Sequence, residues 1–146
     1  MKSPERFQSG DIILTDRGLY QHYGIYAGKG RVIHYAAENG DFGINIGVRE
    51  TSLNDFALNG KCRVVYIAGN NIWAKKYSRK ETVQRARSRL GEKHYNLVFN
   101  NCEHFAFWCK TGLSKSAQVE KAFCAIAVLT AAIVITKLAV DSNNDG

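Results

Sequence analysis

Proline is nearly missing from this chain, one in 146 residues, whereas glycine occurs thirteen times. Turns must therefore be shaped by glycine's access to positive φ rather than by proline's fixed ring. No internal repeat with a period of roughly 20 to 50 residues is visible, which excludes a solenoid or a propeller. The four cysteines, Cys62, Cys102, Cys109 and Cys124, never form a CxxC pair. Neither a zinc ribbon nor a disulfide framework is encoded, and a reducing compartment is expected. The polar opening MKSPERFQSGD holds no apolar signal segment. What is present excludes disorder: 45% hydrophobic residues, 23% charged, with seven Phe, seven Tyr and two Trp. The length suits one globular domain with a tail or an insertion.

The formal charge of +7 is uneven, because Lys61 to Lys93 holds ten Lys or Arg against Glu81 and Glu92 alone, a surplus of eight. Such a segment attracts an anionic membrane surface or nucleic acid, or is simply a solvated helix face. The tail favours the membrane. Ala122 to Thr136 is fifteen residues without a charge, and if Lys137 snorkels the apolar stretch reaches Val140, nineteen residues. As a helix this would be about 28 Å long against a hydrocarbon thickness of about 30 Å. The expectation is a membrane-anchor helix over 121–140, the alternative a buried core helix. Lys110, Lys115 and Lys121 on one flank and Asp141 and Asp145 on the other would keep the preceding domain cytosolic.

The short branched run Ile12-Ile13-Leu14 reads as a strand. Tyr20 to Ala27 and Arg31 to Ala37, separated by Gly28-Lys29-Gly30, read as a hairpin. Residues 38–60 are polar and poorly periodic, a loop with one strand near Ile44 to Val48, and Cys62 to Ala68 is again strand-like. Ser78-Arg79-Lys80-Glu81 is a capping box opening a helix that should run to Leu90 and stop at Gly91. Asn100-Asn101-Cys102-Glu103 reads as a second helix start, ending near Gly112. Strands followed by helices make an α+β domain.

Among the thiols, Cys102 is placed best for reactivity. In the first turn of a helix it would face unpaired amides and the positive end of the dipole, which lowers a thiol pKa. Cys62, Cys109 and Cys124 read as small buried residues. A thiol nucleophile needs a base, and the base an orienting partner. With a three-residue loop at Gly28-Lys29-Gly30, the hairpin pairs Ala27 with Arg31, Ile25 with Ile33 and Gly24 with His34. His22 and His34 then share one face as diagonal neighbours, roughly 7 to 8 Å apart at the backbone, and Gly24 leaves room opposite His34. A two-residue loop would put the imidazoles on opposite faces. His104, about 200° round the helix from Cys102, is a poor base for it, and His94 has no visible partner. Left open by spacing alone are histidines that only satisfy local contacts, and a zinc site using His22, His34 and Cys102, which no motif supports.

Asn101-Cys102-Glu103-His104-Phe105, with Tyr20-Gln21-His22-Tyr23-Gly24-Ile25-Tyr26 and with Val32-Ile33-His34 placing a histidine twelve residues after His22, resembles the lecithin:retinol acyltransferase domain family. The basic helix leading into NCEHF and the hydrophobic C-terminus look most like its HRAS-like suppressor phospholipase/acyltransferase branch, although Tyr23 follows His22 as in the retinol enzyme. The resemblance implies a circularly permuted papain-like, NlpC-related domain over 8–116, in which a His-bearing hairpin in an antiparallel sheet packs on a Cys-bearing helix, plus the C-terminal hydrophobic helix. It implies Cys102 as the nucleophile that carries an acyl thioester, His22 as general base and acid, and His34 as the residue orienting His22. The backbone amide of Cys102 is a candidate oxyanion donor.

The implied activity is a phospholipase A/acyltransferase that cleaves a glycerophospholipid acyl ester and passes the acyl group to water, to an amine such as phosphatidylethanolamine, or to a lysophospholipid. No cofactor or metal is called for, and no nucleic acid is expected. The implied setting is the cytosolic face of an intracellular membrane, held by a single-pass tail and by the Lys61–Lys93 basic segment. Competing readings are a cysteine peptidase or amidase on the same fold, a non-enzymatic interaction protein that keeps the His and Asn-Cys motifs, and nucleic-acid binding through the basic patch.

Overall fold

A computed structural model describes residues 6–40, 42–67, 76–93, 98–113 and 137. The chain divides into two units, residues 1–115 and 116–146. The first is an α+β domain built on five antiparallel strands, β1 (Ile12–Asp16), β2 (Gln21–Gly28), β3 (Arg31–Ala36), β4 (Gly47–Ser52) and β5 (Cys62–Val65). Their order across the sheet is β4-β3-β2-β1-β5. Among the described residues three helices accompany them: α1 (Leu53–Ala57), between β4 and β5, and α2 (Arg79–Ser88) and α3 (Val98–Thr111), after β5.

The sheet has two apolar faces. Tyr23 and Ile25 of β2, with Ile12, Leu14, Ile33, Tyr35 and Val48, pack with Val83 and Ala86 of α2 and with Cys102, Phe105, Ala106 and Cys109 of α3. The opposite face buries Ile13 and Val32 under Phe56 of α1. Alternation along each strand sorts residues between the two faces.

The hairpin register places His34 opposite Gly24 and Ile33 opposite Ile25, as the spacing predicts, but by a different turn. Arg31 pairs with Gly28 rather than Ala27, and the register shifts between Tyr26 and Gly28. The loop is therefore two residues, Lys29 and Gly30, both at positive φ (51° and 69°), the requirement of a type I′ turn. The bulge at Ala27 absorbs the residue that the short loop leaves over, so both histidines stay on one face.

At α2 the capping box forms as expected: the Ser78 hydroxyl accepts from the Glu81 amide and the Glu81 carboxylate accepts from the Ser78 amide. Residues 38–60 hold more order than their composition predicts. β4 runs from 47 to 52 alongside β3, and Ser52 caps α1 by accepting from the Asp55 amide.

The expected single-pass tail anchor, and with it the placement on the cytosolic face of an intracellular membrane, is corrected. Among the described residues no helix is long and apolar enough to cross a membrane. The longest of them, α3, has 14 residues and carries Glu103 and Lys110, which makes about 21 Å against the roughly 30 Å of a hydrocarbon core. The expected C-terminal hydrophobic helix over 121–140 lies, apart from Lys137, outside the described residues.

Candidate active site

His22 and His34 stand on adjacent strands of one sheet face, and both are buried. His22 Nε2 and His34 Nδ1 are 2.8 Å apart, a hydrogen bond that joins the imidazoles nearly at right angles (85°). Phe56 of α1 roofs both rings, with centroids 5.2 Å from His22 and 5.0 Å from His34. The far nitrogen of His34, Nε2, lies 2.8 Å from the Thr51 hydroxyl on β4. Gly24 makes the pairing possible: a Cβ there would come within 2.7 Å of Val32 Cγ1, 3.0 Å of the Phe56 ring and 3.2 Å of His34 Cβ.

Cys102 arrives from the other face. Its helix packs on the sheet side that carries Tyr23 and Ile25, yet its sulfur reaches the edge of β2. The thiol donates to the Gln21 carbonyl at 3.8 Å, and the Tyr23 amide bonds back to the sulfur. Backbone groups two residues apart open on the same edge of a strand. On β2 the even-numbered residues bond to the β1 side, as Tyr20 and Tyr26 show through Arg17 and Asp11, so Gln21 and Tyr23 open toward β3.

The β2–β3 ladder ends at Gly24 and His34, while Tyr35 and Ala36 continue along β4. The sulfur lies against the Gln21–Tyr23 stretch of β2, beyond the end of that ladder. This geometry lets a residue from one face lie along the two residues that flank His22, whose side chain is on the other.

Two expectations about Cys102 are corrected. α3 begins at Val98, so Cys102 is its fifth residue and lies beyond the first turn. There the dipole has faded, although the amides of Cys102 and Glu103 still face the sulfur. Burial pushes the thiol pKa up, not down, against the opposing pull of the Tyr23, Glu103 and Cys102 amides. Burial thus favours the protonated thiol over the thiolate.

Cys109 is buried in the core as expected, its thiol pushed up to about 12 by that burial, whereas Cys62, expected to be buried, is a half-buried strand residue. Cys124 and His94 lie outside the described residues. Among the described residues no cluster of three or more His, Cys, Asp or Glu is arranged to hold a metal ion.

Several basic residues of the 61–93 segment have partners within the domain. Arg79 pairs with Asp11 at 2.5 Å, Arg87 with Glu50 at 3.3 Å, and Arg89 with Glu92. Arg85 lies between the Tyr77 and Trp108 rings, 4.0 and 3.9 Å from their centroids. Lys61, Arg63, Lys76, Lys80 and Lys93 remain exposed.

A family model for lecithin retinol acyltransferase matches residues 5–115. The chain belongs to the lecithin retinol acyltransferase family. It is 28% identical over 145 residues to mouse lecithin retinol acyltransferase, covering 84% of this chain and 62% of that protein. It is 30% identical over 140 residues to the bovine protein of that name, covering 81% of this chain and 60% of that one. To mouse phospholipase A and acyltransferase 3 it is 32% identical over 129 residues, covering 82% of this chain and 80% of that protein. The chain thus spans about three fifths of the lecithin retinol acyltransferases it matches.

Residue reasoning alone missed Thr51, Phe56 and Gln21. Ser52-Leu53-Asn54-Asp55 was the available signal for the first two, since a serine followed three residues later by an acid marks a helix start. Gln21 contributes only its carbonyl, for which no side-chain signal exists.

Proposed function

We propose that this protein is a thiol-dependent phospholipase A/acyltransferase acting on glycerophospholipids. The observation that carries the reading is the Cys102 sulfur held against Gln21 and Tyr23, on either side of a His22 that is itself hydrogen-bonded to His34. The names of the family relatives, acyltransferases and a phospholipase A, support the reaction class.

With Nε2 of His22 engaged by His34, Nδ1 is the nitrogen that serves the thiol. Rotation about the Cβ–Sγ bond turns the thiol proton from the Gln21 carbonyl to Nδ1 as the sulfur attacks the ester carbonyl. The tetrahedral intermediate collapses by breaking the bond to the glycerol oxygen, which takes the proton back from His22 and leaves as a lysophospholipid. The acyl group stays on Cys102 as a thioester. Water, an amine such as the head group of phosphatidylethanolamine, or a lysophospholipid then attacks that thioester, with His22 again accepting the proton. His34 holds the ring of His22 and stabilises its cationic form. The raised thiol pKa fits this order, because proton removal accompanies attack instead of preceding it.

Residues 8–116 form the catalytic unit in this reading, a circularly permuted papain-like domain with the histidine strands ahead of the cysteine helix. The exposed lysines and Arg63 of the 61–93 segment supply attraction to anionic lipid, on the order of 1 kcal/mol for each residue near the surface. At the rim, Phe42 packs on Tyr20 at 5.9 Å and Tyr20 on His22 at 6.1 Å. Leu19 beside them is 98% exposed and Phe42 60%, an apolar edge suited to acyl chains.

The deciding experiment incubates the protein with phosphatidylcholine labelled in its acyl chain. Wild type should trap label on Cys102 and release it as fatty acid or acylated amine, and Cys102→Ala or His22→Ala should abolish both. A wild-type protein that neither traps nor releases acyl groups from any phospholipid would leave the interaction-protein reading in its place.

A further inference from the structure

Beyond the two histidines the hydrogen-bond chain continues to a hydroxyl on β4, whose own acceptor bears on where the protons lie. The Thr51 hydroxyl has one hydrogen, and the Ser52 carbonyl, which can only accept, lies 3.2 Å away. With that hydrogen on the carbonyl, the oxygen can only accept from His34 Nε2, at 2.8 Å, and Nε2 of His34 carries the proton. A neutral imidazole protonated at one nitrogen accepts at the other. Nδ1 of His34 is the acceptor of the 2.8 Å bond, and Nε2 of His22 is its donor. By the same rule Nδ1 of His22 bears the lone pair.

We infer that Thr51 is a positioning residue that fixes the tautomers of both histidines, so that His22 presents a basic Nδ1 to the Cys102 thiol. Run the chain the other way and the site fails. A Thr51 hydroxyl donating to His34 Nε2 would place the proton on His34 Nδ1, force His22 Nε2 to accept, and leave His22 Nδ1 as a donor unable to take the thiol proton. The direction is thus set 17 residues along the chain from His34, by a β4 residue bonded to its own neighbour's carbonyl. The catalytic consequence rests on the acyl-transfer reading; the tautomer assignment does not.

The test uses the full chain with nitrogen-15 in its histidines. Long-range proton–nitrogen correlation spectra distinguish Nδ1–H from Nε2–H imidazoles. Wild type should show both His22 and His34 as Nε2–H. Thr51→Val keeps the shape and removes the oxygen, so His34 should lose its tautomer preference, and kcat for thioester formation should fall roughly 10- to 100-fold, the usual cost of deleting a partner that orients a functional imidazole. KM should stay unchanged. Thr51→Ser retains the hydroxyl and should restore both the spectrum and the rate, which a role in packing alone would not produce.

A wild-type His22 in the Nδ1–H form would overturn the inference. So would a Thr51→Val protein with wild-type tautomers and rate. If no phospholipid yields a thioester yet the tautomers still follow Thr51, the acyl-transfer reading falls and the assignment of Thr51 stands.

Discussion

Gly24 faces His34 directly across the hairpin, and substitution by alanine probes whether the imidazole pair depends on that missing side chain. The added Cβ would sit 2.7 Å from Val32 Cγ1, 3.0 Å from Phe56 Cε2 and 3.2 Å from His34 Cβ. Val32 and Phe56 are fully buried, so neither can swing into solvent, and the strand pair must part or the Phe56 ring must lift. Overpacking of this kind costs about 1 to 3 kcal/mol. For a domain near 100 residues each kcal/mol lowers Tm by about 4 to 8 °C.

The displaced partner is His34, so the 2.8 Å bond to His22 lengthens as well, and misplacement by 1 Å can cost about 100-fold in rate. Gly91→Ala is the control. That residue has φ +83° with nothing within 4 Å of an added Cβ, so it costs about 1 to 2 kcal/mol of backbone strain without touching the imidazoles. Thermal denaturation and acyl trapping on Cys102 should show both variants destabilised to a similar degree, with trapping lost only in Gly24→Ala. Wild-type stability and trapping in Gly24→Ala would refute the packing argument.

Alkali should destabilise the domain. Burial raises Tyr23 and Tyr35 from 10.0 to about 12 and Cys109 from 9.0 to about 12, and raises Cys102 and Cys62 as well. The folded state holds protons that the unfolded chain has released, so stability present below pH 9 is lost as pH rises toward 12. Only Lys110, whose pKa burial lowers, opposes the trend among the shifts resolved in the described residues. Urea midpoints taken from pH 7 to 11 check this, and a flat profile would contradict it.

Arg85 donates to the Cys109 and Trp108 carbonyls at the end of α3, at 3.2 and 3.0 Å, while its plane stacks on two rings. Arg85→Lys keeps the charge but loses the fork and the stacking, and should cost about 1 to 3 kcal/mol, read as a shift in Tm. Leu19→Asp should cut activity on phospholipid vesicles about tenfold while sparing a short-chain ester dissolved in water; equal losses on both substrates would show that the exposed rim does not meet the lipid surface.

Much of the architecture is written locally. The capping box before α2, the strand runs and the α+β order follow from nearest-neighbour chemistry, which a sequence displays directly. The register that puts His34 opposite Gly24 was also legible, though the bulge at Ala27 and the two-residue turn that deliver it were not, because one inserted residue and one shortened loop cancel in the count. In the segment 38–60 the sequence suggests a strand near Ile44 to Val48 where β4 lies at 47–52, and it hides α1, since a five-residue helix has almost no period to detect.

Residue order alone singled out the candidates for the chemistry, a thiol and two imidazoles, since residue type and spacing are properties of the chain itself. Only the tertiary structure shows the surroundings of that thiol and the contacts between the imidazoles. Burial against β2 overrode the expected helix-terminus effect and raised the Cys102 pKa, because desolvation depends on what packs around a group and not on its neighbours in sequence. In the proton chain inferred above, a β4 hydroxyl sets the histidine tautomers, because its hydrogen goes to a carbonyl that can only accept, and that hydroxyl comes from another strand.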